Sequence, residues 1–316
     1  MPIGFREDLM RWQQLVSATW LAAWLVQSPT AAGPVSEWRL LEVGCDGLEA
    51  FLSNHIPGAG YLDTMELEQE PFWNKVHDGA LLQCLLRHGI RHDTTVMLYS
   101  RSAVMAARAA HLMLYAGVRD VRLLDGGFAS WLHGGFPRVS GPPFLQAAAA
   151  DFGAAFPAMP TYLVNTPQTR SLLRKPAGVL ASIRTRNEFM GKTSGYSYIK
   201  PVGDIAGALW GHAGQGSDVS SMSDFHNADG TLRAAWEIEA VWNLAGIHRD
   251  KTVAFYCGTG WRASLAFFYA WLMGWEHISV YDGGWYEWSA DPGNAVICRT
   301  QTDMPEEPCE PFQPKM

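Results

Sequence analysis

No run in this 316-residue chain reaches about 18 uninterrupted apolar residues, so the sequence offers no candidate membrane-spanning helix. Basic residues are in the minority, 24 Lys and Arg against 31 Asp and Glu, which gives a formal charge of −7 and a pI near 5.8. That balance argues against nucleic acid or an anionic membrane surface as the partner. Cysteine is scarce: Cys45, Cys84, Cys257, Cys298 and Cys309 form no Cys-x-x-Cys pair and show no zinc-like spacing with histidine. Their odd number leaves at least one thiol unpaired within a single chain. Cys84 sits in an apolar helical pattern and reads as a buried, inert thiol. No secretory leader is expected in this stretch, because Glu7 and Asp8 accompany Arg6 and Arg11 ahead of the apolar run from Leu15 to Val26. The expected compartment is the cytoplasm, or the periplasm if the chain is truncated at its N-terminus.

What is present is a repeat. Val96-Met97-Leu98-Tyr99-Ser100 aligns with Val253-Ala254-Phe255-Tyr256-Cys257 at a shift of 157 residues, and the same shift carries Gly117 onto Gly274 and Trp131 onto Trp288. It also carries Leu123-Leu124-Asp125-Gly126-Gly127 onto Val280-Tyr281-Asp282-Gly283-Gly284. Upstream the register slips slightly: His55-Ile56-Pro57-Gly58-Ala59 matches Asp204-Ile205-Ala206-Gly207-Ala208, and Leu15-Val16-Ser17 matches Leu163-Val164-Asn165. Two copies of one domain are therefore expected, in agreement with about 100–200 residues per domain.

Short apolar runs alternate with helical stretches in both copies. Arg39 to Val43, Val96 to Tyr99, Val121 to Leu124, Val179 to Ile183, Val253 to Tyr256 and Ile278 to Tyr281 read as strands. Alternation of this kind predicts an α/β protein whose mainly parallel sheets carry helices on both faces. The expected organisation is an N-terminal extension over 1–14, a first domain over 15–136 and a proline-rich linker over 137–161. A second domain over 162–298 and an extended, Pro- and Glu-rich tail over 299–316 follow.

Chemistry concentrates in Cys257-Gly258-Thr259-Gly260-Trp261-Arg262, which lies between a predicted strand and a predicted helix. Backbone amides and a helix N-terminus there would favour the thiolate over the thiol, and the two glycines permit positive φ and close backbone approach. The first copy has Ser100 in place of the cysteine and lacks both glycines. Without a general base a serine hydroxyl is a poor nucleophile, so the first domain is expected to be catalytically silent. Asp125 and Asp282 read as structural caps of their turns.

The loop, the repeat and the closing Asp-Gly-Gly turns together resemble tandem rhodanese-type sulfurtransferases, and the Cys-Gly-Thr-Gly form is similar to the mercaptopyruvate-type and multi-domain bacterial branches. The resemblance implies two rhodanese-like domains, with the silent one lining a wall of the cleft. It implies a persulfide on Cys257, loaded from a small anionic donor such as thiosulfate or 3-mercaptopyruvate and discharged to cyanide or a thiol, without a cofactor or a metal. A persulfide carrier or docking module, fed by a cysteine desulfurase or serving an acceptor protein, is the alternative. Arg262 stands five positions after the cysteine, whereas the cysteine phosphatases place their arginine six after it, which disfavours phosphoryl chemistry. Arg262 is expected either to meet the donor or to close the loop on backbone carbonyls. Arg184 matches the family's donor-binding arginine, although Ser182 replaces the usual aspartate, and Arg186 competes for that role. Trp210, His212 and Trp261 are expected to shape the pocket, and Asp63 and His55 to face it from the silent domain.

Overall fold

A computed structural model describes residues 4–27, 32–34, 37–45, 47–214 and 218–299. Two five-stranded sheets form, each entirely parallel. In the first, spatial order runs Leu15–Val16, Asp120–Leu124, Thr95–Tyr99, Trp38–Gly44, Gly60–Asp63. In the second it runs Leu163–Val164, Ile278–Tyr281, Thr252–Tyr256, Gly178–Ser182, Leu209–Trp210. The two orders correspond strand for strand, so the sequence repeat is a repeat of topology. Each strand read from an apolar run is present. Two of the four edge strands, Gly60–Asp63 and Leu209–Trp210, are too short and too mixed in composition to announce themselves.

Helices Ala103–Ala116 and Trp261–Leu272 follow the serine and cysteine loops and pack on each other across the domain boundary. A helix that covers its own sheet with one face and a sister helix with the other must be apolar all round. Accordingly, all residues from Arg262 to Leu272 are buried. Gly117 (φ +107°) and Gly274 (φ +84°) take the left-handed conformation where these helices stop. Among the described residues no helix is long and apolar enough to cross a membrane.

The flanking segments are anchored to the domains. Residues 4–14 do not hang free as an extension: Leu9 is buried, the Arg11 amide donates to Leu272 O at 2.9 Å, and Arg6 donates to Leu232 O and Arg233 O. They strap the second domain. Much of the linker is likewise anchored to the first domain, through Val139 paired with His55, a buried Phe152, and the Ala158 amide on Ala116 O at 3.1 Å. Spaced apolar residues between its prolines supply those anchors. Residues 300–316, the bulk of the expected tail, lie outside the described residues.

Each domain also sends a segment over its neighbour. In the first copy the hairpin Glu68–Gln69 with Asn74–Lys75 reaches the second, where the Lys75 amide donates to Asp282 Oδ2 at 2.8 Å. In the second copy the Leu232 amide donates to Asp125 Oδ1, also at 2.8 Å. The two aspartates are therefore structural, as read, but they cap the opposite domain's segment.

Candidate active site

Cys257 directly follows Thr252–Tyr256, the central strand of the second sheet, and is 1% exposed. The Gly260 amide donates to Cys257 Sγ at 3.2 Å, and helix Trp261–Leu272 starts at the next residue. Gly260 can aim that amide because its φ is +103°, a conformation a side chain would strain. The opposite side of the loop is pinned by the Asp-Gly-Gly turn. Trp285 N donates to Cys257 O at 2.8 Å and Tyr286 N to Gly258 O at 3.1 Å. A Cβ on Gly258 would lie 2.3 Å from the Tyr196 ring, which explains the first glycine.

Arg262 is not open to a ligand. It is 1% exposed and donates twice to the Glu188 carboxylate, at 2.8 and 2.9 Å, and once to the Tyr196 hydroxyl at 3.0 Å. Burial disfavours the Glu188 anion, but Arg262, with Arg184 and the Thr185 amide, outweighs it and holds the carboxyl down to about 2. Arg184 is also fully buried: it donates to Gly203 O at 2.7 Å and pairs with Asp204 and Glu188, each at 3.4 Å. The aspartate missing at Ser182 is supplied from another strand, since Ser182 Oγ donates to Asp204 Oδ2 at 2.9 Å and the Tyr256 hydroxyl also bonds Asp204. Both guanidiniums brace the loop from within the domain.

The other expected pocket residues separate. Trp210 bonds Arg184 O through Nε1 at 2.9 Å and stacks on His212, which pairs with Asp224. Arg186 is half-buried at the start of the short helix Arg186–Phe189. His55 is buried against Phe51 and bonds its carbonyl at 2.8 Å, which makes it a packing residue. Asp63 caps the turn Thr64–Glu66 that launches the crossing hairpin, so it acts on the cleft only through that hairpin. Trp261 donates through Nε1 to Glu68 Oε2 of the first domain at 2.7 Å.

Three tyrosines and a glutamate escaped the sequence reading. Tyr196, Tyr198, Tyr286 and Phe72 stand ring to ring, with successive centroids 5.5, 5.5 and 5.2 Å apart. Tyr198 is 45% exposed, so this aromatic wall is reachable beside the loop. The Tyr196-Ser197-Tyr198 alternation was a visible signal; the contact of Glu68 with Trp261, 193 residues away in sequence, was not.

The serine copy is closed. Ser100 Oγ bonds Ser102 O and accepts the Ala106 amide at 3.2 Å, and the cavity lined by Ser100, Asp125, His226 and Tyr269 holds about 20 Å³. That is room for about one water molecule, which needs roughly 10–15 Å³. Cys84 is buried as expected, its thiol pushed up to about 12 by burial and Glu66. The structure does bring Glu66, Cys84 and His88 within 4.8 Å of one another, a cluster that the sequence reading did not assemble. Arg87 already bonds Glu66 at 2.8 Å, so an ion pair occupies that carboxylate.

Two parallel sheets in one repeated topology, with a cysteine loop at one site and a serine at the other, define a tandem cysteine-loop protein. Residues 36–133 and 167–291 each match the rhodanese-like domain, and the chain belongs to that family. It is 52% identical over 290 residues to the thiosulfate sulfurtransferase YnjE of Escherichia coli K12, covering 92% of this chain and 66% of that protein. The chain thus spans about two thirds of that relative's length. The crystal structure of YnjE superposes with a TM-score of 0.90 at 51% identity, over 93% of this chain and 70% of that one. The sulfur carrier protein TtuD of Thermus thermophilus is 30% identical over 265 residues, 82% of this chain and 88% of TtuD. A structure of an EanB variant in a cysteine-persulfide state with ergothioneine matches at TM-score 0.89 and 36% identity, covering 92% and 72% of the two chains.

Proposed function

We propose that this chain is a sulfurtransferase that carries sulfane sulfur as a persulfide on Cys257. The thiolate attacks the outer sulfur of thiosulfate, the S–S bond breaks, and sulfite leaves with its electron pair. Cyanide or a thiolate then attacks the outer sulfur of the persulfide, which restores the Cys257 thiolate; 3-mercaptopyruvate is the alternative donor, with pyruvate leaving as its enolate. One observation carries the reading: a backbone amide on the cysteine sulfur at a helix start, inside a loop held rigid from both sides. Such an arrangement stabilises negative charge on sulfur in the thiolate and the persulfide alike. Because Arg184 and Arg262 are committed to carboxylates, the donor anion meets the loop amides, Thr259 and Tyr198 instead.

A second reading concerns the acceptor. The wall of Tyr196, Tyr198, Tyr286 and Phe72 suits an aromatic or cationic acceptor better than a small anion. The ergothioneine in the EanB structure fits that chemistry.

Intact-mass measurement after exposure to thiosulfate or mercaptopyruvate, beside Cys257→Ser, tests the main reading. The wild type is expected to gain one sulfur and the variant none; equal uptake by the variant would remove Cys257 as the acceptor. Discharge of the loaded protein by cyanide, a thiol and an imidazole betaine then separates the acceptor readings. Fast uptake from a cysteine desulfurase with poor thiosulfate turnover would favour a carrier role.

A further inference from the structure

We propose that Glu68, supplied by the silent domain, is a positioning residue for the Cys257 loop, a proposal that rests on the sulfur-transfer reading above. Glu68 Oε2 accepts the Trp261 indole N–H at 2.7 Å, and Glu68 Oε1 accepts Arg108 Nε at 2.7 Å. Arg108 extends the network to Asp282 Oδ1 at 2.6 Å, and Asp282 holds the Lys75 amide of the same crossing hairpin. Glu68 and Arg108 are buried. Trp261 directly follows Gly260, the residue whose amide meets the cysteine sulfur. Arg108 packs against that glycine too: a Cβ there would lie 3.1 Å from Arg108 Nη1.

Comparison of the copies isolates this network from general packing. Glu68 pairs with Lys75 in its hairpin; the equivalent bridge in the second domain joins His226 to Leu232, and His226 bonds the Tyr269 hydroxyl at 2.6 Å. The repeat counterparts of Arg108 and Trp261 are Leu265 and Val104. The carboxylate, the guanidinium and the indole are therefore found beside the cysteine and not beside the serine.

A carboxylate bonded on both oxygens accepts both donors fully only when ionised. Burial pushes the Glu68 carboxyl up to about 7, against the pull of Arg108 and the Trp261 N–H and with the help of Asp282. The groups facing it are Arg108 on helix Ala103–Ala116, Asp282, Tyr198, and Lys75 across the hairpin, with His111 beside Arg108. His111 is held down to about 3, chiefly by burial, and the Lys75 ammonium is bonded to Asp78. Protonation of Glu68 below neutrality weakens its hold on Trp261 and Arg108, because a neutral carboxyl is the poorer acceptor.

The test is the rate of persulfide formation on Cys257 from thiosulfate, by quench and intact mass, between about pH 5.5 and 8.5. Wild type is expected to slow as pH falls through neutrality. Glu68→Gln, and independently Trp261→Phe, which keeps a ring but loses the donor, are expected to load sulfur about tenfold more slowly at the alkaline end and to lose that acid limb. Far-UV circular dichroism and thermal melting establish that each variant is folded. If both variants retain wild-type rate and acid limb, the proposal is overturned while the sulfur-transfer reading stands. If wild type gains no sulfur on Cys257, the reading beneath it falls first.

Discussion

Arg262 and Glu188 hold each other through two hydrogen bonds, 2.8 and 2.9 Å long, with each side chain 1% exposed. The pair joins the first turn of the helix behind the cysteine to a short helix on a neighbouring strand's end. An arginine that the loop's sequence offered to the substrate is thereby spent on the architecture of the loop. We predict that Arg262→Ala, which strands a buried carboxylate, destabilises the protein by about 3–5 kcal/mol in urea unfolding. A loss below about 1 kcal/mol would mean that the pair is no tighter than a surface contact.

The same pair sets an acid limit. Glu188 is held well below its usual range, so its contribution to stability is complete above the unfolded carboxyl value near 4.5 and is lost as pH falls toward about 2. Melting temperature measured from neutrality into acid should fall more steeply for wild type than for Glu188→Gln across that window. Parallel curves would contradict the assignment.

Ser100→Ala should leave sulfur loading unchanged, because the serine bonds only its own loop and its cavity is too small for a donor. The expected stability loss is about 1 kcal/mol, from the orphaned Ala106 amide. A large fall in the chemical step with the fold intact would give the first domain a catalytic part.

Gly284→Ala probes the turn that pins the loop. Its Cβ would stand 2.5 Å from Gly258 O and 2.7 Å from Cys257 O, at φ +55°, and backbone cannot move aside. We expect a destabilisation of about 1–3 kcal/mol together with slower persulfide formation. Wild-type loading kinetics in this variant would show that the loop tolerates displacement.

How much of this was legible depended on distance along the chain. The strands from Arg39 to Val43 and from Val253 to Tyr256, the glycine stops at Gly117 and Gly274, and the loop glycines follow from local pattern. So does the capping box of Thr185 and Glu188, although nothing local shows that Glu188 also receives Arg262 from 74 residues away. Asp204 replacing the absent aspartate at Ser182, and Glu68 meeting Trp261, are products of strand order and domain docking. Residue types alone hold no record of them. The N-terminal segment misled for a related reason: Leu9 and Arg11 look unremarkable until the surface they cover is built.

The two sister helices make this duplication hard to reverse. Ala103–Ala116 and Trp261–Leu272 are each other's solvent shield, and a chain that shed either copy would turn a nearly charge-free helix face to water. Inheritance of the serine copy therefore needs no chemistry to explain it. The serine loop bears no such constraint, whereas the helix behind it is bound by the needs of its neighbour.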